Sequence, residues 1–540
     1  MRVALASNVR VSSSVVAFGL LVAIAGCRSK PNPHAVTPAL ERLVAGSPLP
    51  RVEAGVWTNL RTFYTQRENV PAWVNHRRPT AKAAAAIKVL NTARQHGFDP
   101  EDYATADLLA MSQAVETIDK ESPDRLERLA EFDARLTAGM LSFGRDVSVG
   151  RQHGDANFKA RRKMPDLVAA VTAAVDDPET LVDAVRPPHQ EYAALQKALD
   201  DLNGQREKGG WVKVSATLTP GQSGAAVGAL RQRLAGSGNL KADPSAKDAA
   251  ATYDADLVAA VKSFQELHSI AATGIVDKAT LAALNVPLDW RIEQVALNLQ
   301  RWRYMPDDLG DQHFFVNIPY FHLIARESGT PVMDIRVVVG KPGNNTPIFS
   351  EDMETVVFSP YWNIPDTIAE NETAPAVARD PNYLARQGIE ILRVSGSTSQ
   401  TVDASDVKWD RPDALKGLVF RQKPGDGNAL GHVKFLFPNQ YNVYLHDTPA
   451  DSLFAKPGRA FSHGCVRVEE PETLAKYVLR GYSDWNEESI FAAMQSGVEK
   501  HVKLKKKIPV HIAYFTAWVD ENGGLHFQPD IYGYDRPIGN

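Results

Sequence analysis

The chain has 540 residues, of which 44% are hydrophobic and 23% charged. At roughly 150 residues per domain this length predicts three or four domains, and the composition excludes a long disordered chain or a multi-span membrane protein. Sixty Lys and Arg against 64 Asp and Glu leave a net charge of −4, no basic surplus with which to recruit nucleic acid. Two cysteines, Cys27 and Cys465, exclude a disulfide framework and a four-cysteine zinc site.

The first ten residues carry Arg2 and Arg10 and no acid, and an apolar run follows from Val15 to Gly26. This is the layout of a secretory signal, and the run is too short for a comfortable bilayer span. It ends in Ile24-Ala25-Gly26-Cys27, which resembles the bacterial lipobox, whose cysteine is acylated and becomes the mature N-terminus. Arg28 in place of Asp implies, by the same resemblance, sorting to an outer membrane. The expectation is a lipoprotein signal at 1–27, a Pro-rich polar tether at 28–50, and a lipid-anchored periplasmic protein. A plain cleavable signal, or an uncleaved anchor with an incidental cysteine, remains the alternative. With Cys27 lipidated, Cys465 is a lone thiol in an oxidising compartment, where such a thiol usually has a reason.

Residues 51–205 read as an α-helical scaffold domain. Ala84, Ile87, Leu90 and Ala93 recur at helical spacing up to a stop at Gly97, and Leu126, Leu129, Phe132, Leu136, Met140 and Phe143 form a second stripe. No catalytic constellation lies in this region, and the stripes are core faces. A Gly- and charge-rich linker, Asn203–Gly210, precedes a compact three-helix unit at 211–288. Val227, Leu230 and Leu234 mark one helix face, Leu257, Val261 and Phe264 the second, and Thr280, Leu281 and Leu284 the third. Asp254 and Asp277 stand at N-cap positions. The ordered segments "LRQRL", "AVKSFQ" and "TGIVDKATLAALN" make this unit similar to the peptidoglycan-binding three-helix module.

A helix from Trp290 to about Trp302 and a linker through Pro306 occupy 289–311. Beyond it, from 312 to 540, the apolar period changes to alternation. Phe314–Ala325 and Met333–Gly340 read as strands joined by a Ser328–Thr330 turn, and Thr355–Phe358, Val433–Leu436 and Asn442–His446 add to them. Ile508–Trp518 and Leu525–Phe527 read as a hairpin around Glu521–Gly524. Between Ile368 and Trp409 the strand signal lapses into a polar, partly helical insertion of about 368–410, a lid or a passive surface excursion. The basic run Lys503–Lys507 reads as a solvated stretch ahead of the strand at Ile508.

Two segments carry chemistry, Tyr444–Pro449 (YLHDTP) and Phe461–Val468 (FSHGCVRV). A reactive thiol needs a base or cation beside it. His446 closes a strand, and Cys465 follows a Gly-containing turn at a distance that permits strand, crossing loop and return. Gly464 lets the backbone turn beside the thiol, and its N–H with that of Cys465 is a candidate oxyanion hole. A backbone carbonyl suffices to hold the histidine Nδ1–H, with Asp447 on the opposite face.

These two segments, with the flanks "VVVGKPGNNTPIF", "PYWNIPDTIA" and "FPNQYNVYLHDTP", resemble the L,D-transpeptidases of bacterial cell walls with a YkuD-type catalytic domain, and among them the large multidomain branch. The resemblance runs from about Val56 to the C-terminus. It implies an α+β multidomain protein: helical scaffold, peptidoglycan-binding module, and a mainly-β, β-sandwich-like catalytic domain with an inserted lid. It further implies Cys465 as nucleophile and His446 as general base and acid, with Gly464, His463 and Ser462 lining the oxyanion site and Arg467 and Tyr444 candidates for holding substrate. The implied reaction forms 3→3 cross-links through a thioester made from a tetrapeptide stem, with release of D-Ala and no cofactor or metal. Implied partners are stem peptides and glycan, with a glycan synthase or carboxypeptidase as further candidates. Several alternatives stay open on the residues alone. Arg467 serves a substrate carboxylate or a structural ion pair, and His463 can replace His446 as base. Water as acceptor gives an L,D-carboxypeptidase. Zinc at His446, His463 and Cys465 lacks an HExxH motif. A non-catalytic wall-binding scaffold is the rival from another class.

Overall fold

The computed structural model describes residues 34–119, 122–151, 157–158, 161–241, 252–395, 398–409 and 415–536. Cys27 and the signal sequence lie outside the described residues. Among the described residues no helix is long and apolar enough to cross a membrane.

The scaffold is built round one long helix. α1 (Thr37–Ala45), α2 (Ala54–Gln66), α3 (Ala81–Asn91) and α4 (Thr105–Thr117) pack on α5 (Pro123–Val149), followed by α6 (Leu167–Ala174) and α7 (Thr180–Val185). Leu129, Phe132, Leu136, Met140 and Phe143 of α5 are buried, so the predicted stripe is its core face. In α3 the face is Ala83, Ala86, Ile87 and Leu90, and Ala84 is exposed. The buried carboxylate of Asp133 takes the backbone N–H groups of Ala72, Trp73 and Val74 at 3.0, 2.7 and 3.0 Å and the Tyr64 hydroxyl at 2.6 Å. It thereby fixes the turn after α2 to the middle of α5.

Two expectations need correction here. The tether at 28–50 contains α1, whose Ala39, Leu40 and Val44 are buried in the scaffold core, because three apolar residues at helical spacing outweigh the flanking prolines. The linker at Asn203–Gly210 is largely the end of α8 (Gln190–Glu207), and α8 itself leaves the scaffold core. Its Tyr192, Leu195, Leu199 and Leu202 pack on Val295, Leu299 and Trp302 of α12 (Leu288–Trp302) and on Phe515. Arg303, fully buried, donates to the carbonyls of His96 (2.6 Å) and Val147 (3.3 Å) and to the Tyr192 hydroxyl (2.9 Å), joining scaffold and connecting helix.

The small module comprises α9 (Ala225–Gly236), α10 (Ala255–Leu267) and α11 (Lys278–Leu284). Val227, Leu230, Leu234, Leu257, Val261, Phe264 and Leu284 form its core. Asp254 and Asp277 accept from Leu257 N and Thr280 N at 3.0 and 2.8 Å, the N-caps expected.

In the C-terminal β-rich domain, Phe314–Ala325 divides into β1 (Gln312–Asn317) and β2 (His322–Glu327), because Pro319 in a 3-10 turn cannot continue the ladder. β3 (Thr330–Gly340) follows, then β4 (Phe349–Phe358), β9 (Val433–Leu436), β10 (Leu445–His446), β11 (Ala460–Ser462), β12 (Val466–Val468) and β13 (Lys500–Ala513), the four strands between β4 and β9 belonging to the insertion. Their order is β11-β3-β12-β10-β9-β4-β13-β1-β2, and β2 pairs back onto β3. The sheet therefore closes on itself around one apolar core. Lys503–Lys507 lies inside β13, with exposed lysines, a buried Leu504 and an irregularity in register between Lys503 and Ile508. The hairpin near the end is β14 (Ala517–Val519) with β15 (Leu525–Phe527).

The insertion is larger and more ordered than its polarity suggests. β5 (Trp362–Ile364), β6 (Ile389–Ser395), β7 (Thr398–Val402) and β8 (Leu418–Gln422) form a separate sheet in the order β5-β8-β6-β7, with short helical turns between Asp366 and Arg386. Ile364, Val377, Leu384, Ile391, Val407, Leu418 and Phe420 give it a core of its own. So few apolar residues, spread over sixty positions, leave the alternation too sparse to read locally.

Candidate active site

β10 pairs with β12 in parallel, Leu445 opposite Val466 and His446 opposite Arg467, and with β9 in antiparallel, His446 opposite Lys434. Leu445 and Val466 are buried in the sheet's core. Side chains alternate along a strand, so Tyr444, His446, Cys465 and Arg467 all fall on the other face, joined by Lys434. Residues nineteen apart in sequence thus come to one face of the sheet through one two-residue strand. The Tyr444 and His446 rings lie edge to face with centroids 5.6 Å apart.

His446 is buried and its Nδ1–H donates to the carbonyl of Asp447 at 2.5 Å. That bond selects the tautomer and leaves Nε2 with a free lone pair. Burial, then Arg467 and Lys434, push the imidazole down to about 3 against the opposing Asp447 bond, so the ring is neutral. Asp447 turns its carboxylate away to the backbone N–H groups of His432 and Thr448, at 2.7 and 2.6 Å.

Cys465 is half-buried, and its thiol faces the Asn442 carbonyl at 3.9 Å. Burial raises its pKa, opposed by a backbone hydrogen bond from Tyr444 and by the Arg467 charge. Burial lowers Arg467, the Cys465 charge opposes it, and its Nε is buried without a hydrogen-bond partner among the described residues. Burial likewise raises the Tyr444 phenol.

Ser462 donates to the Cys465 carbonyl at 2.5 Å and accepts the Gly464 N–H at 3.1 Å. The oxyanion expectation changes accordingly: the Gly464 N–H is used within the turn, and the Cys465 N–H is the one without an acceptor among the described residues. Gly464 has φ +118°, which a side chain would strain. His463 points outward, with Nε2 2.7 Å from Glu372 Oε1 in the lid. This separates it from His446, which alone sits on the face of the thiol. Sequence reasoning missed Lys434, Glu372 and Thr346. Only the last had a signal, the "NTP" within a quoted flank, to which no role was attached.

Three stretches of the chain match known families. Residues 58–199 match the family described as "Scaffold domain", and residues 223–284 match "Putative peptidoglycan binding domain". Residues 311–491 match the L,D-transpeptidase catalytic domain. The chain carries an L,D-transpeptidase catalytic domain. A curated relative from Haemophilus influenzae, named "Putative L,D-transpeptidase", is 36% identical over 246 residues, 46% of this chain and 49% of the relative. The chain thus spans about half the length of the curated relative it matches. A crystal structure of an L,D-transpeptidase (residues 123–326) from Xylanimonas cellulosilytica aligns with 98% of its own length and 55% of this chain, at 14% identity and TM-score 0.16, and no argument rests on it.

Proposed function

We propose that the protein is a peptidoglycan L,D-transpeptidase that forms 3→3 cross-links through an acyl-enzyme on Cys465. The observation that carries this reading is the shared face of Tyr444, His446, Cys465 and Arg467, with His446 Nδ1–H held by the Asp447 carbonyl. Cys465 Sγ attacks the carbonyl carbon of the third residue of a tetrapeptide stem while His446 Nε2 takes the thiol proton. The C–N bond breaks, the same proton goes to the departing D-Ala amine, and a thioester remains. The side-chain amine of a second stem then attacks, His446 accepts its proton, and Cys465 leaves as thiol. One amide replaces another, so no cofactor, metal or external energy is required. The buried, unpaired Nε of Arg467 fits a stem carboxylate.

The module at 223–284 would hold the glycan strands near this site, and the lipobox at Cys27 would anchor the chain in the periplasm at the outer membrane. A glycan synthase or carboxypeptidase would supply nascent strands or tetrapeptide donors. The test is mass spectrometry of tetrapeptide muropeptides incubated with the protein and with Cys465→Ala. Cross-linked dimers with the wild type alone support the reading. Tripeptide monomers alone convert it to an L,D-carboxypeptidase with water as acceptor. No change with either protein sinks it.

A further inference from the structure

The turn that carries Cys465 is held by a loop that is itself braced from beyond the matched segment 311–491. Thr346, fully buried in the loop between β3 and β4, donates its hydroxyl hydrogen to the Gly464 carbonyl at 2.8 Å and accepts the Gly340 N–H at 2.8 Å. Tyr532, beyond residue 491, donates to the Gly340 carbonyl at 2.6 Å and accepts the Thr346 N–H at 3.2 Å. The Thr346 and Tyr532 hydroxyls thus each donate one hydrogen bond and accept one. It is also tight, since a Cβ on Gly340 would lie 2.1 Å from the Asn344 carbonyl oxygen.

The tail that brings Tyr532 is itself tied down. Tyr532 N–H donates to the Tyr514 hydroxyl at 2.9 Å, Tyr534 hydroxyl accepts from Asn345 at 2.8 Å, and Asp535 pairs with the buried Arg301 of α12 at 2.7 Å. The connecting helix thus ties the C-terminal tail, the tail holds Thr346 in the β3–β4 loop, and Thr346 alone of these reaches the Gly464 carbonyl.

That carbonyl matters because a trans peptide holds C=O and N–H antiparallel. Fixing the Gly464 C=O toward Thr346 aims the Cys465 N–H the opposite way. This is the N–H with no acceptor among the described residues. We propose that Thr346 and Tyr532 are positioning residues that aim the Cys465 N–H at the oxyanion formed when the thiol adds to a carbonyl, so that the C-terminal tail is part of the acyl-transfer machinery. The inference rests on the reading of Cys465 as an acyl-accepting nucleophile.

Two reagents separate aim from reactivity in the full chain. Addition of the Cys465 thiol to 4-nitrophenyl acetate passes through an oxyanion, forms the S–C bond and expels 4-nitrophenolate while His446 takes the proton. Alkylation by iodoacetamide displaces iodide and forms no oxyanion. Peptide mapping follows both products at Cys465. Removing one oxyanion donor outright typically costs 10² to 10³ in rate. A donor turned aside rather than deleted predicts a fall of about 10- to 100-fold in the acylation-to-alkylation ratio for Thr346→Val. Thr346→Ser, which keeps the hydroxyl, restores the ratio to within about threefold, and Tyr532→Phe lowers it in the same direction. If Thr346→Val does not fold, the Thr346→Ser and Tyr532→Phe pair decides. An unchanged ratio in Tyr532→Phe, or a loss in Thr346→Ser equal to that in Thr346→Val, overturns the inference. A wild type that reacts with both reagents yet releases no D-Ala from a tetrapeptide stem sinks the transpeptidase reading and leaves the positioning result standing.

Discussion

A neutral His446 beside a thiol of raised pKa predicts a particular pH dependence for Cys465. Moving the imidazole from its ordinary 6.5 to about 3 disfavours the imidazolium by on the order of 5 kcal/mol. The causes are burial and the flanking cations Arg467 and Lys434, which sit opposite His446 on the two neighbouring strands. The thiol moves the opposite way through burial. The resting pair is therefore thiol and imidazole, and the thiolate–imidazolium ion pair of many cysteine enzymes is disfavoured. An unperturbed cysteine of pKa about 8.5 is roughly 3% thiolate at pH 7, so Cys465 should be less ionised than that. The rate of iodoacetamide alkylation, followed by mass spectrometry from pH 5 to 8.5, should rise about tenfold per pH unit without a plateau. His446→Asn should leave that rate within about threefold, yet lower D-Ala release from a tetrapeptide by about 10²- to 10⁴-fold, since only acyl transfer needs the base. An alkylation rate that is flat between pH 5 and 8 and collapses in His446→Asn would refute the neutral pair.

The same sign governs acid stability. His96, His268 and His446 are held at about 3 and His511 at about 4, each mainly by burial. Below pH 6.5 the unfolded chain therefore binds more protons than the native one. Stability is full above that pH and falls toward the folded values, by up to about 1.4 kcal/mol per pH unit for each histidine. Thermal midpoints compared at pH 7.5 and 5 should drop, less steeply in His96→Phe; equal midpoints would remove the argument. In the scaffold, Asp133→Ala orphans three buried N–H groups and leaves the Tyr64 hydroxyl only Thr137, and it should cost about 3 kcal/mol or more, read from a denaturant midpoint against wild type. Glu372→Gln removes the insertion's carboxylate contact with His463, whose partners are both partly exposed, so it should change the KM for a stem peptide by less than about fivefold.

Much of this molecule was legible in one dimension. The α5 stripe, the Asp254 and Asp277 caps, the β2–β3 turn and the Cys465–His446 pairing of motifs each depend on neighbours within a turn or on residue types that chemistry requires together. What resisted reading depends on partners far away. α1 hides among prolines because its apolar face is stabilised by α5, eighty residues on. α8 looks like scaffold because nothing local says that its apolar face meets α12 and Phe515. The lid strands carry too few apolar residues to announce a sheet whose core is their own. At the site, the sequence determined which side chains are the candidates for chemistry. Tertiary structure decided their state: the parallel register of β10 and β12 puts Arg467 and Lys434 on the face of His446, and burial there keeps the imidazole neutral. It likewise decided that Thr346, 118 residues before the Gly464 turn, holds its carbonyl and that Tyr532, 68 residues after it, accepts the Thr346 N–H, because a hydrogen bond is blind to separation along the chain.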